Sequence, residues 1–300
     1  MMNLVEKIRR HGIAGSAKIC LNKLKIKSGY IKWRFRRAPV YANPTPAELA
    51  QIEQGLVDLG TELHEYNPSP AEFHAFQAQG WFPPDYHGGK CSDVWDEKLL
   101  EHWIASESLG VMHYGPQDIY VDLAAAASPW AQALRERKNI NAYAIDLYEV
   151  GQAYGHLEYY RLENATATTF ADGSVSGASL QCAYEMFMGQ DDTKLIEELE
   201  RILKPGGKVV ILPLYMHTHY CAYSTPEYFG KGYSDPIAKE YVRLDCSGVP
   251  SSRKYDPLML KKRVLDPIVA AGLGYKLSVL RNKNQLGKGI YCHFILEIEK

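Results

Sequence analysis

Paired cysteines are missing from this sequence of 300 residues. None of its six cysteines forms a C-x-x-C pair, and their scattered positions do not suggest a disulfide framework. This distribution of cysteines predicts reduced thiols, as in a cytosolic protein. The six are Cys20, Cys91, Cys182, Cys221, Cys246 and Cys292.

Long apolar runs are missing as well. No run approaches the roughly 18–20 residues that a helix needs to cross a bilayer. The N-terminal segment also lacks the uninterrupted apolar stretch of a signal peptide, because Arg9, Arg10 and Lys18 interrupt it. We therefore expect a soluble, cytoplasmic protein.

The net charge is only −1 at pH 7, but basic and acidic residues are unevenly distributed along the chain. Residues 1–37 hold eleven Lys or Arg against one acid, Glu6, so the remainder of the chain is acidic. An acidic body argues against nucleic acid as a partner. The basic arm, residues 1–37, mixes apolar with basic residues and carries Trp33 and Phe35. This favours either peripheral contact with an anionic membrane or packing on the protein's own acidic surface.

The most informative stretch runs from residue 118 to residue 146. It is typical of a buried strand, a turn of four alanines, a helix and a second strand that ends on Asp146. This is the layout of a βαβ unit that binds a nucleotide-like ligand. Small residues let the turn approach the ligand, the helix offers free N–H groups, and the terminal acid can accept hydrogen bonds from a ribose diol. The glycines expected in such a turn are missing, and alanines and a serine replace them.

Helices and strands are predicted to alternate along the chain. Thr45 and Ser69 each begin a helix with Glu three residues later, which is a capping box. The predicted helices are 46–64, 70–78, 95–109, 130–138, 191–203 and 255–272, and the predicted strands are 118–123, 141–146, 158–162, 175–180, 208–214, 275–281 and 289–299. Alternation of this kind predicts a mainly parallel sheet covered on both faces, and the last two strands should form an antiparallel edge.

The order of elements from Asp118 to Lys300 resembles the class I S-adenosylmethionine-dependent methyltransferases. The most specific feature is the helix with its tail at 203–210, which contains Lys204-Pro205-Gly206-Gly207. The turn at Asn164-Ala165-Thr166 is similar to the family's adenine-contacting turn. The resemblance implies an α/β fold with a doubly wound, seven-stranded, mainly parallel sheet (Rossmann-like) and a helical N-terminal extension. The expected domains are the basic arm 1–37, the helical extension 38–94 and a methyltransferase-like domain over 95–300.

The same resemblance implies S-adenosylmethionine as the cofactor. Asp146 lies where the family's ribose-binding acid lies, and Asn164 replaces its adenine-contacting acid, with an amide oxygen that can receive an amine. The acid of the first turn is Asp122, but the glycine positions hold alanine or serine. The residues implied in cofactor binding are Asp122, Ala124, Ala126, Ser128, Asp146, Leu147, Asn164, Ala165 and Gln181.

Methyl transfer depends on positioning and deprotonating the acceptor, so a base is expected after the strands that end near 180 and 214. The candidate catalytic residues there are Glu185, Tyr215 and His217, and a loop role is the alternative for His217. Cys182 is more typical of a packed residue than of a nucleophile. No metal site is predicted, because His217 and His219 have no spaced carboxylate ligand.

Seven tyrosines between 215 and 255 are typical of substrate-binding loops and suit a sugar or an aromatic acceptor equally well. The sequence thus predicts a cytoplasmic methyltransferase that acts on a glycan, a lipid-linked sugar or another small molecule. The alternative is a methyltransferase-fold protein that binds or scaffolds without catalysis. Loss of the glycines favours this alternative, whereas retention of Asp122, Asp146 and Asn164 favours the enzyme.

Overall fold

The computed structural model describes residue 33, residues 35–147 and residues 158–300. Most of the basic arm therefore lies outside the described residues. The expected contact of this arm with a membrane rests on the same residues and also lies outside the described part of the chain. Within the described part of the chain, no helix is long and apolar enough to cross a membrane.

Strands and helices alternate through most of the chain, as predicted. The helices are α1 (Pro46–Asp58), α2 (Pro70–Ala78), α3 (Trp95–Leu109), α4 (Trp130–Lys138), α5 (Asp191–Ile202), α6 (Pro257–Leu260), α7 (Asp266–Ala270) and α8 (Lys283–Leu286), with a π-helical turn at Lys261–Leu265 between α6 and α7. The strands are β1 (Leu63–Tyr66), β2 (Ile119–Leu123), β3 (Asn141–Asp146), β4 (Tyr160–Leu162), β5 (Val175–Gln181), β6 (Leu203–Leu214), β7 (Cys221–Ser224), β8 (Lys239–Val242), β9 (Ser252–Lys254), β10 (Gly274–Leu280) and β11 (Phe294–Glu299).

The N-terminal helices begin where their capping residues predict. Thr45 and Glu48 form the complete capping box of α1, and the Ser69 side chain accepts a hydrogen bond from the backbone of Glu72 at the start of α2. The end of α1 was predicted incorrectly. The helix ends at Asp58, because Gly60 (φ +80°) reverses the chain there and the following residues form β1.

The main sheet has the order β1-β10-β11-β6-β5-β2-β3-β4. Every neighbouring pair is parallel except the two pairs that contain β11, which confirms the mainly parallel α/β fold. The sheet has eight strands where seven were expected, because β1, from the extension predicted to be helical, pairs with β10. The antiparallel pair of β10 and β11 is present, but β1 covers its outer side and forms the edge.

Helices cover both faces of the main sheet, as a doubly wound fold requires. One apolar core joins α1, α5 and the segment from α6 to α7 to one face, and the other joins α2, α3 and α4 to the opposite face. Adjacent residues of β2 belong to different cores: Val121 lies in the first core and Tyr120 in the second. The strand order places the carboxyl ends of β2 and β5 side by side at the point where the connections diverge, which is where such folds bind ligands.

A second, three-stranded sheet in the order β8-β7-β9 was not predicted. A buried ion cluster attaches it to the main domain. Asp192, at the start of α5 and fully buried, lies 2.5 Å from Nη1 of Arg253 on β9 and 2.7 Å from Nη2 of Arg263. The Tyr255 hydroxyl also donates to this carboxylate, at 2.7 Å. Burial alone would raise the pKa of Asp192, but these partners outweigh it and hold that pKa below its ordinary value.

Replacement of Asp192 by Asn should lower the free energy of unfolding by about 3–5 kcal/mol, because it leaves the buried guanidinium of Arg253 without its counter-charge and that of Arg263 with only Asp235, 3.5 Å away. Urea denaturation measures this loss. Its matched control is Asp191→Asn, which removes a half-exposed pair with Lys194 and should cost less than about 1 kcal/mol. Equal losses in the two variants would contradict this role for Asp192.

Candidate functional site

The alanine turn after β2 holds two residues in the left-handed region of the backbone. Ala124 has φ +54° and Ala126 has φ +48°. Hydrogen bonds to β3 hold this shape, because the N–H of Ala125 donates to the carbonyl of Ile145 (2.9 Å) and that of Ala126 donates to Oδ2 of Asp146 (2.8 Å). A side chain in this conformation costs on the order of 1 kcal/mol, so the turn has the backbone shape of a glycine-rich loop without its glycines.

Asp122 ends its strand with a carboxylate that is buried beside the turn. Its Oδ2 has no hydrogen-bond partner among the described residues. Burial raises the pKa of Asp122 to about 7, and the charge of Asp146 adds to this, while a hydrogen bond with Ser128 opposes it. Such an oxygen is a strong acceptor for a cationic or hydroxyl group of a ligand.

The first of two cavities, of about 460 Å³, opens beside the end of β3. It brings together six of the residues implied in cofactor binding: Ala124, Ala126, Asp146, Leu147, Asn164 and Ala165. Its remaining lining is largely apolar and comprises Glu163, Cys182, Ala183, Met186, Phe187, Met188, Asp191, Gly248, Pro250 and Ser251. The combination of an acid with an apolar slot fits the ribose and the base of a nucleoside.

Asn164 contributes to this cavity in a different way from the one expected. Its Oδ1 accepts hydrogen bonds from the backbone N and the Oγ1 of Thr166, both at 3.0 Å. Since a carbonyl oxygen has two lone pairs, this turn engages both of them. The polar groups that Asn164 can offer a ligand are therefore its amide N–H donors.

The second cavity, of about 470 Å³, lies on the other side of the turn. It contains the implied residues Asp122, Ser128 and Gln181 and shares Ala124, Ala126 and Cys182 with the first cavity. The rest of its wall is Pro83, Asp85, Tyr86, His87, Lys98, Glu101, His102, Ala125, Ala127 and Pro129. All nine residues implied in cofactor binding therefore line one or both cavities.

A buried group of charges on α3 forms part of this second wall. Nζ of Lys98 lies 3.0 Å from both carboxylate oxygens of Glu101 and 2.7 Å from Sγ of Cys182. Burial lowers the pKa of Lys98, but the charge of Glu101 outweighs it and holds that pKa well above its ordinary value. Burial raises the pKa of the Glu101 carboxyl, and Lys98 opposes that rise.

Glu97, one turn earlier on α3, is a second buried acid beside Glu101. Its carboxylate accepts hydrogen bonds from the backbone N–H groups of Tyr291 and Cys292, both at 3.0 Å. Burial and the neighbouring charge of Glu101 raise the pKa of Glu97 to about 8. Burial therefore disfavours the charged form of both acids, and Lys98 is the group that opposes this effect at Glu101.

The three candidate catalytic residues occupy different places. The Tyr215 hydroxyl lies 3.2 Å from Sγ of Cys182, next to both cavities. Glu185 is close enough to the buried Lys254 for each charge to affect the pKa of the other, and the ring of His217 packs near those of Tyr41 and Tyr241. Neither Glu185 nor His217 is among the cavity-lining residues, and the catalytic roles of all three stay predictions.

Cys182 has φ +51° at the end of β5 and touches both cavities. Burial raises the pKa of its thiol far above the ordinary value, with a further contribution from Glu101. A thiol in that state is a weak nucleophile, which agrees with the packing role favoured from the sequence.

Sequence reasoning missed Lys98 and Glu101, because it assigned α3 only by its apolar residues. A signal was present. Acids at 97 and 101 lie four residues apart, on one face of a helix that also carries several apolar residues, and this spacing places two charges together in a buried setting.

The fold and the position of the cavities define a doubly wound α/β domain with a ligand crevice at the carboxyl ends of its strands. A family model of a methyltransferase domain matches residues 119–211, which include β2 to β5 and most of β6. The resemblance to the class I S-adenosylmethionine-dependent methyltransferases is thereby confirmed over these residues. No curated protein matches the sequence significantly.

Solved structures of similar fold share little sequence with this chain. Geranyl diphosphate C-methyltransferase from Streptomyces coelicolor A3(2) is 13% identical, with 86% of this chain and 99% of that chain covered and a TM-score of 0.42. A methyltransferase in complex with the Trm112 methyltransferase activator of Haloferax volcanii is 17% identical, with 69% and 92% covered and a TM-score of 0.38. A methyltransferase from Methanosarcina mazei is 16% identical, with 62% and 94% covered and a TM-score of 0.37. These likenesses carry no information about the acceptor.

Restoring glycine in the alanine turn should stabilise the fold. Ala124→Gly and Ala126→Gly should each raise the free energy of unfolding by about 0.5–1 kcal/mol, because relief of the left-handed strain exceeds the entropy cost of glycine. The matched control is Ala125→Gly, between them and not in the left-handed region, which should lower stability by about 0.5–1 kcal/mol. Chemical denaturation measures all three variants. Destabilisation by all three glycines would contradict the strain.

Proposed function

We propose that this chain binds S-adenosylmethionine across the two cavities and methylates a polar small molecule or a glycan. The observation that carries the proposal is the meeting of the cavities at Ala124, Ala126 and Cys182, with a strand-end acid on each side of the turn. The first cavity fits the adenosine part, because Asp146 can accept the ribose hydroxyls and the apolar lining can hold the base. The unpaired oxygen of Asp122 in the second cavity fits the cationic amine of the methionine part.

When bound, the cofactor supplies a methyl group that its sulfonium has already activated, so the protein's task is to orient the acceptor and remove a proton from it. The second cavity supports this task. Its wall is polar near Lys98 and Glu101, and its volume is suited to a group of roughly the size of one sugar ring.

Glu101 is the residue that we assign to proton removal. It lines the cavity, and the ammonium group of Lys98, 3.0 Å from both of its oxygens, stabilises its carboxylate form. Transfer forms a bond between the acceptor's oxygen or nitrogen and the methyl carbon, breaks the bond from that carbon to sulfur, and sends the acceptor's proton to Glu101. The hydroxyl of Tyr291 lies 3.3 Å from Glu101 Oε1 and helps to orient that carboxylate.

A protein that binds the cofactor without catalysis is the second candidate function. The strained alanines favour this second function. They retain the backbone shape of a glycine-rich loop, but they add two methyl groups where a bound ligand would contact the backbone of the loop. A measurement of cofactor binding tests both candidate functions, and a measurement of methyl transfer distinguishes the enzyme from the non-catalytic protein.

The demethylated product, S-adenosylhomocysteine, should bind the purified protein in calorimetry. Asp146→Ala should weaken this binding by about 1–3 kcal/mol, or roughly 5- to 150-fold, through the loss of charge-assisted hydrogen bonds. The control is Asp118→Asn, just before β2 at the opposite end of the strand, where the acid pairs with Lys204 and affinity should not change. If neither S-adenosylhomocysteine nor S-adenosylmethionine binds the folded wild type, the proposed function is wrong.

Glu101→Gln should lower turnover by roughly 10²- to 10⁴-fold while leaving the affinity for S-adenosylhomocysteine unchanged. Release of that product in the presence of monosaccharides, small alcohols and small amines provides the assay. Glu97→Gln is the matched control on the same helix. It mimics the protonated acid and should retain most of the activity. Binding without turnover on any acceptor would support the non-catalytic candidate, and full activity in Glu101→Gln would remove Glu101 from proton transfer.

A further inference from the structure

The connection between β6 and β7 brings together three side chains that bind transition metals. His217, His219 and Cys221 alternate along it, and one potential ligand atom from each lies within 4.8 Å of the others. The absence of a spaced carboxylate led the sequence analysis to predict no metal here, but the third donor is a thiol. Cys221 was not associated with the histidines because only the fold of the connection brings its side chain to theirs.

Neighbouring groups already orient both imidazole rings. The His217 ring is hydrogen-bonded to the backbone of Ala42, and Nε2 of His219 lies 2.8 Å from the Tyr241 hydroxyl. Oγ1 of Thr218 lies 3.3 Å from Nδ1 of each ring, a long contact that a metal bond would readily replace. Hydrogen bonds that fix the rings in this way are typical of histidines that bind metals.

The surroundings are aromatic and largely closed to water. Cys221 is fully buried and His217 nearly so. The ring centroids of Tyr41 and Tyr241 lie 6.0 and 6.4 Å from that of His217. Such a shell strengthens the bonds between a cation and its ligands.

Charged side chains also face the cluster: Glu48, Asp256, Lys239 and, on the Cys221 side, Lys254. Glu48, in the first turn of α1, interacts favourably with both histidines, and Lys239 interacts unfavourably with them. Nζ of Lys239 lies 5.0 Å from the centroid of the Tyr241 ring. A divalent ion bound with one thiolate adds a net charge of +1 to the cluster, which Glu48 and Asp256 favour and Lys239 opposes.

We propose that His217, His219 and Cys221 bind one zinc ion. Two imidazoles and a thiolate are the ligands of zinc and similar transition metals, whereas magnesium and calcium prefer oxygen. This inference does not depend on methyl transfer.

Cobalt(II) is the probe for this site, because a thiolate bound to it gives a charge-transfer absorption in the near ultraviolet. The full-length protein, treated with a chelator and then titrated with cobalt, should bind one ion per chain and show this absorption. Zinc should then displace the cobalt. Cys221→Ala should abolish the absorption, whereas Cys292→Ala, which removes an equally buried thiol near Glu97, should retain it.

Zinc should also raise the thermal unfolding temperature of the wild-type protein and of Cys292→Ala, but not that of Cys221→Ala. If Cys221→Ala does not fold, as judged by circular dichroism, His219→Asn at a partly exposed position replaces it and should lower the affinity for cobalt at least tenfold. Absence of the thiolate absorption from the wild-type protein would overturn the proposal. Its survival in folded Cys221→Ala, or unchanged affinity in His219→Asn, would do the same.

Discussion

The candidate site depends on the hydrogen bonds that join the alanine turn to the end of β3. The N–H of Ala125 is bound to Ile145 and the N–H of Ala126 to Asp146, so the turn must follow the neighbouring strand. Two residues are left-handed as a result. This constraint positions Asp146 relative to the turn before any ligand binds, which limits the reorganisation that binding would require.

Buried charge is used in two different ways in this protein. The carboxylate of Asp192 is surrounded by Arg253, Arg263 and Tyr255 and does not line either cavity, so its role is to attach the small sheet to the main domain. Glu101 is equally buried but lies on a cavity wall beside a second acid. A buried acid that lies beside a second acid and faces a cavity is costly to fold and typical of a chemical role.

Much of the fold was predictable because it depends on local interactions. The helices α2, α3 and α4 have the predicted bounds, since their apolar spacing and their end signals, such as Ser69 before α2 and Gly110 after α3, lie within the helix or next to it. The strand β1 was missed because its four residues form a strand only by pairing with β10, more than 200 positions later in the chain. Such pairing leaves little trace in the local pattern.

The sequence by itself determined the alternation of strands and helices, the strand-end acids Asp122 and Asp146, and the small residues of the turn between them. These follow from side-chain size, charge and spacing within single segments. Only the tertiary structure decided that the alanines take left-handed backbone angles, that Lys98 and Glu101 face the same cavity as Asp122, and that Cys221 joins two histidines. Each of these depends on contacts between distant segments or on the path of an irregular connection, and local propensity does not encode either of them.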